Sequence, residues 1–249
     1  MEHAVLAKIQ DAAFWTRVSS SQSEIGLIAS AYAQTLQDPL LRENMALYGK
    51  EHQRLAAVVG TLVETYGFNC PGQKAASLPT NLEQALIEAG YSDCIDVFLG
   101  FGLWELAKQA QLLPHELEQQ FETYLAEKSR HLVFFVNWLA FRNVKTRKYA
   151  EGFRGVQAVW QRRGALLDWM KVFGEKEDSD ALPTRRWLEE WTSEAFLTAC
   201  LSAHRQFMQP FSTNLLKPQV APILAALVRE SLRVWPKRQA QPTIDSLKL

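Results

Sequence analysis

The longest break in the chain, GFNCPGQKAASLPTN at residues 67–81, constrains the fold more than any other segment. Gly67, Pro71, Gly72 and Pro79 make a regular element there untenable. On either side, apolar residues recur at three- and four-residue spacing, and strand-type alternation is absent. Asp38-Pro39 divides the region before the break, with Pro39 suited to the first turn of a helix. Pro114 divides the region after it. The order is hairpin, long loop, hairpin. Two antiparallel helix pairs joined by a long connection form an all-α four-helix bundle with a crossover, whereas short loops make an up-and-down bundle.

Finer boundaries follow from capping chemistry. A short helix is expected over His3 to Val18, and SSSQSE supplies caps at Ser21 or Ser23 for a helix to about Gln37. The next runs from Pro39 to Tyr66 and closes at Gly67. A third starts after Asn81, is interrupted at Gly90, and resumes from Ser92 or Asp93 to about Leu112. The fourth runs from Pro114 to about Val144. Further helices are expected over about 147–173, 184–208 and 217–235, with an acidic, proline-bearing loop at 174–184. The whole reads as a single domain, residues 1–249. Its core bundle spans about 20–145, behind an N-terminal helix, and a helical extension covers about 146–236.

Bulk composition narrows the function classes. Lys+Arg and Asp+Glu are both 27, so no global field steers the chain toward nucleic acid or anionic lipid. Cys70, Cys94 and Cys200 form no C-x-x-C pair and no even framework, which suits a reducing cytoplasm. The N-terminus lacks a basic region followed by an apolar block, and the run from His131 to Phe141 is too short to span a membrane. A soluble, cytoplasmic, bacterial-type protein is expected. No phosphate-binding glycine loop, G-x-S-x-G or H-E-x-x-H motif is present.

The unusual segment is LAEKSRHLVFFVNW, residues 125–138. A charged run leads directly into an apolar one, and Lys128 and His131 lie on the stripe that should face the core. Aligned without gaps, KEHQRLAAVV from Lys50 and EKSRHLVFFV from Glu127 match Glu51 with Lys128 and Arg54 with His131. The two pieces fall at equivalent places in the two hairpins.

These segments resemble the second and fourth helices of the ferritin-like superfamily of di-iron carboxylate proteins. EKSRHLVFFVNWLA is similar to the fourth helix of bacterial ferritin-like domain proteins, SEIGLIASAYAQTLQDPLLR to the first, and FMQPFSTNLLKP to a C-terminal segment. The resemblance implies a Glu-x-x-His motif on the second and fourth helices and one Glu on the first and third. Residues at i and i+3 share a face, so each Glu and His aim at one metal. Mapped here, it implies remnant ligand positions at Glu24, Glu51 and His131, with Arg54 and Lys128 where ligands are lost. The third-helix position falls near Leu99 to Phe101, without a carboxylate. Glu127, His52, Asp96 and Glu105 are fallback donors, and His52 lies on its own apolar stripe with Met45, Tyr48, Leu55 and Val59.

A protonated amine cannot ligate a metal, and a bundle core cannot hold bare carboxylates. Lys128 is therefore expected to point inward and to pair with Glu51 or Glu24. The functional expectation is a ferritin-like protein of di-iron oxidoreductase ancestry with a degenerate metal site, working as a ligand-binding or interaction module. No cofactor is expected of it; the opposing enzyme reading is an iron-dependent oxidoreductase with a reduced or rearranged site. A third reading uses the basic stretch 142–163, where Arg142, Lys145, Arg147 and Lys148 flank Tyr149, to bind an anion or nucleic acid. A solvated helix face is the plainer account of that stretch, and no nucleic-acid partner is expected. The expected partner is a small molecule or protein. Trp160, Trp169, Trp187 and Trp191 could line a pocket or a homodimer interface, although core packing explains them more simply.

Overall fold

The computed structural model describes residues 12–67, 77–111, 113–146 and 192–234. Those residues form an all-α structure without a strand: α1 (Ala12–Thr35), α2 (Pro39–Thr65), α3 (Leu82–Gln109), α4 (His115–Thr146), α5 (Ser193–Met208) and α6 (Val220–Val234). The helices expected over 147–173 and before Ser193, and Trp160, Trp169, Trp187 and Trp191, lie outside the described residues.

Several caps match the chemistry that predicts them. The Asp38 carboxylate accepts from the Leu40 and Leu41 amides ahead of Pro39, and Asn81 accepts from Gln84 to open α3. Gly67 takes φ +65° just beyond α2, a conformation glycine adopts without penalty.

Two expected boundaries are corrected. The chain does not restart at Ser21 or Ser23: α1 runs unbroken from Ala12 through SSSQSE. Ser19 and Gln22 are buried, so this part of the helix faces a polar interior instead of opening to solvent at a cap. Nor does Gly90 interrupt α3, which is continuous from Leu82 to Gln109. A Cβ at Gly90 would run into the Phe135 ring, so the glycine serves close helix packing, not a break.

Helix directions follow from residue pairs. Gln22 meets His52 and Ser30 meets Gly49, so α1 and α2 are antiparallel. Asp93 meets Lys128 and Glu83 meets Arg142, so α3 and α4 are antiparallel. Gln22 also meets Asp93, and Tyr32 meets Glu83, which sets α1 antiparallel to α3. By the same reasoning α2 runs against α4, through Arg54–Glu127 and Tyr48–Phe134. Hence α2 and α3 point the same way.

The helices pack around apolar clusters. Ile25, Ile28, Met45, Leu86, Ile87, Phe135 and Trp138 join all four long helices. The expected burial of Phe135 and Trp138 is observed. Outside them, α5 lies on α3: Phe101 stacks on Phe207 at 4.8 Å between ring centres, and Gly102 leaves room for the Cys200 sulfur. His204, which with Cys200 could suggest a metal pair, instead has Nε2 3.0 Å from the Pro218 carbonyl. In turn α6 packs on α5 and α3 through Leu224, Ala225 and Val228. No helix among the described residues is long and apolar enough to cross a membrane.

Candidate functional site

At mid-height, each of the four long helices turns a polar side chain inward. Lys128 on α4 is fully buried, at 0% exposure. Its Nζ donates to Asp93 Oδ2 on α3 at 2.6 Å and to Gln22 Oε1 on α1 at 2.9 Å. Gln22 Nε2 donates back to Asp93 Oδ1 at 3.3 Å, closing a ring of three residues. His52 Nδ1 on α2 stands 2.9 Å from the same Gln22 Oε1. That oxygen only accepts, so Nδ1 carries the proton and Nε2 holds a lone pair.

A second tier lies beside the ring. His131, one turn beyond Lys128, lies with its ring centre 4.5 Å from that of His52. Tyr48 meets both imidazoles in T-shaped contacts, at 4.5 Å and 5.6 Å between ring centres, and packs against Phe134. Tyr48 Oη, His52 Nε2 and His131 Nδ1 are buried with no hydrogen-bond partner among the described residues.

Burial and the ammonium decide the protonation states. Burial pulls the Lys128 amine down from its ordinary value, and the Asp93 carboxylate beside it pulls back up. Burial next to that cation drives His52 well below the ordinary imidazole value and His131 down to about 3. Burial also raises the Tyr48 phenol. His204, in the α3–α5 contact, is lowered to about 4, again mainly by burial.

Stability in acid should reflect these shifts. The unfolded chain takes up histidine protons near pH 6.5, whereas folded His52, His131 and His204 do so only lower. Below 6.5 the unfolded state binds more protons, so stability falls with pH. Full stability should hold above about pH 6.5 and decline by about 1.4 kcal/mol per pH unit per histidine toward pH 4. Urea unfolding between pH 7.5 and 4.5 measures this, and a flat profile would contradict it.

The expected site residues divide sharply. Lys128 is inward, as expected, but its partner is Asp93, not Glu51 or Glu24. Glu24 is exposed on α1. Glu51 pairs on the surface with Arg54 at 3.0 Å, and Arg54 reaches across to Glu127, which Arg130 also approaches. Glu105 accepts from Gln109 at 2.6 Å, and Asp96 is half-buried one turn from Asp93. Leu99 and Phe101 belong to the apolar core, so the inward carboxylate of α3 is Asp93, about two turns earlier. His52 and His131 are therefore the members of the expected set that enter the interior beside Lys128. Gln22, Asp93 and Tyr48 complete it.

The gapless pairing of Arg54 with His131 is off by two residues, because it is His52 that faces His131. Two residues turn a helix by about 200°, which sends Glu51 and Arg54 to the surface. In the basic stretch, Arg142 is buried and chelates Glu83 through Nε at 2.7 Å and Nη2 at 2.8 Å. The part from 147 to 163 lies outside the described residues.

No family model matches the chain, and comparison with curated proteins and with solved structures gives no match.

Chemically, the centre is a buried ion pair with a bridging amide and two neutral imidazoles. Among the described residues it holds one carboxylate, Asp93, which is engaged by an ammonium. Among the described residues no group of three or more His, Cys, Asp or Glu side chains stands ready to hold a metal ion.

Proposed function

We propose that the chain is a ferritin-like protein of di-iron oxidoreductase ancestry in which an internal salt bridge replaces the metals, and that it works as a ligand-binding or interaction module. The parallel direction of α2 and α3 supports the ferritin-like topology. With α2 and α3 parallel, the end of α2 at Thr65 and the start of α3 at Leu82 lie at opposite ends of the bundle, as a crossover connection requires. Its residues supply the rest of the analogy: Gln22 on the first helix, Asp93 on the third, His52 on the second and a Lys128-x-x-His131 motif on the fourth.

The observation that carries the reading is the position of Lys128. A di-iron site needs several anionic oxygens around two dications. Here Nζ is bonded to Asp93, the one carboxylate among the described residues at the centre, and to the neutral Gln22 amide. These donors do not fit two irons, and no redox step is assigned to them.

Gln22→Glu with Lys128→Glu tests this directly. The double variant converts the ring to three carboxylates beside His52 and His131, and should retain at least one more iron per chain than the parent after anaerobic loading and desalting. No gain in a variant that remains folded by circular dichroism would count against the ancestry.

One observation favours a second reading, an iron-dependent oxidoreductase with a rearranged site. His52 Nε2, His131 Nδ1 and Tyr48 Oη form an unsatisfied edge, and imidazole and phenolate are both iron ligands. The unmodified protein would then hold one metal, and His52→Ala would remove it.

A further inference from the structure

We infer that the groove between the start of α2, the middle of α4 and the chain after α5 binds a long-chain monocarboxylate, its hydrocarbon tail along the groove and its carboxylate on Arg130. The groove measures about 460 Å³ and is walled by Leu41, Val133, Phe134, Trp138, Phe211 and Leu215. That volume is in the range, about 300–1,000 Å³, that takes a small molecule. Among the described residues that line it, all but the amides of Asn44 and Asn137 and the charged Arg130 are apolar.

Both amides make hydrogen bonds. Asn44 donates to the Leu40 carbonyl at 2.8 Å. Asn137 donates to the Leu216 carbonyl at 2.9 Å and accepts from the Leu216 amide at 3.1 Å. This paired contact holds the chain around Leu215 against α4, so the outer wall is fixed by two hydrogen bonds. Asn137 is thus fully engaged, whereas the Asn44 amide oxygen has no partner among the described residues. Arg130 remains: 64% exposed, it has among the described residues only a long 3.7 Å contact with Glu127, whose other oxygen is taken by Arg54. A guanidinium at one end of an apolar groove is complementary to an anion with an apolar tail.

The surroundings favour the same class. Leu40, Phe141 and Leu215 keep 67%, 50% and 43% exposure along the groove, so its apolar lining is open to solvent. Phe134 lines the groove and packs on Tyr48, so an occupied groove would touch the side chain that borders the polar centre. The inference rests on the ligand-binding part of the proposed function, not on metal content.

Isothermal titration calorimetry with dodecanoate and dodecanol, both below aggregation, tests it on the full chain. Dodecanoate should saturate at one per chain and bind at least about tenfold more tightly than dodecanol. Arg130→Gln should bring the two to near equality, and Leu215→Glu should weaken dodecanoate more than dodecanol. Both positions are exposed, so the variants should fold, and an unchanged thermal melt confirms it. Equal affinity for acid and alcohol, no saturable binding, or insensitivity to both variants would overturn the inference. So would a dimer that dodecanoate fails to dissociate, since a second copy would then cover the groove. Failure of dodecanoate to bind leaves the iron measurements untouched, so the two accounts fail separately.

Discussion

Replacing Lys128 with Met should destabilise the protein by about 3–5 kcal/mol, measured by urea unfolding at neutral pH. Methionine nearly matches the lysine stem in volume, so packing changes little. What is lost is the ammonium that faces Asp93 at 2.6 Å with no solvent contact. The Asp93 carboxylate would then keep only the longer bond from Gln22, and an uncompensated charge inside a bundle is costly. The companion variant carries the decisive information. Lys128→Met with Asp93→Leu removes both charges, and should recover most of the loss or exceed the parent, because a buried ion pair seldom outperforms good apolar packing. A single-variant effect under about 1 kcal/mol would mean that Lys128 reaches water.

Phe135→Ala should cost about 3–5 kcal/mol, and its coupling to Gly90 is the more telling number. The ring is 1% exposed, lies 5.6 Å from Tyr91 and 6.1 Å from Trp138 between ring centres, and sits on the bare backbone of Gly90. Deleting it leaves a void that Gly90 has no side chain to fill. In the parent, Gly90→Ala should destabilise by about 1–3 kcal/mol, since the new methyl meets a ring locked by its neighbours. In the Phe135→Ala background the same substitution should stabilise, by partly filling the void and adding about 1 kcal/mol of helix propensity. A change of sign in the double-mutant cycle is the expected result, and additivity would contradict the packing.

Helix positions were readable where local chemistry decides them. Asp38-Pro39, Asn81 and Gly67 act within one turn, and the structure places boundaries at each. Gly90 and the serines of α1 misled for one reason. Their signals are local, but their roles are tertiary: a glycine meets a ring from a residue 45 positions away, and a helix meant to begin at Ser21 already faces inward at Ser19.

The polar centre was half legible. Periodicity put Lys128 and His131 on the inward stripe of α4, and His52 on a stripe with Met45, Tyr48, Leu55 and Val59. Comparison of the two helices by charge was the weaker guide, because Glu51 and Arg54 gain more from each other at the surface than from burial. Gln22 carries no charge to attract notice. Asp93 reads as a helix cap while Gly90 is taken as a break; once α3 is continuous, Asp93 has no capping role and its burial needs a partner. Lys128 supplies it.

Iron per chain in the unmodified protein, purified from iron-supplemented medium and counted by mass spectrometry against protein concentration, tests the central claim most directly. With Lys128 bonded to Asp93 and Gln22 in place of a carboxylate, the account predicts well under one iron per chain. Two irons per chain would contradict it.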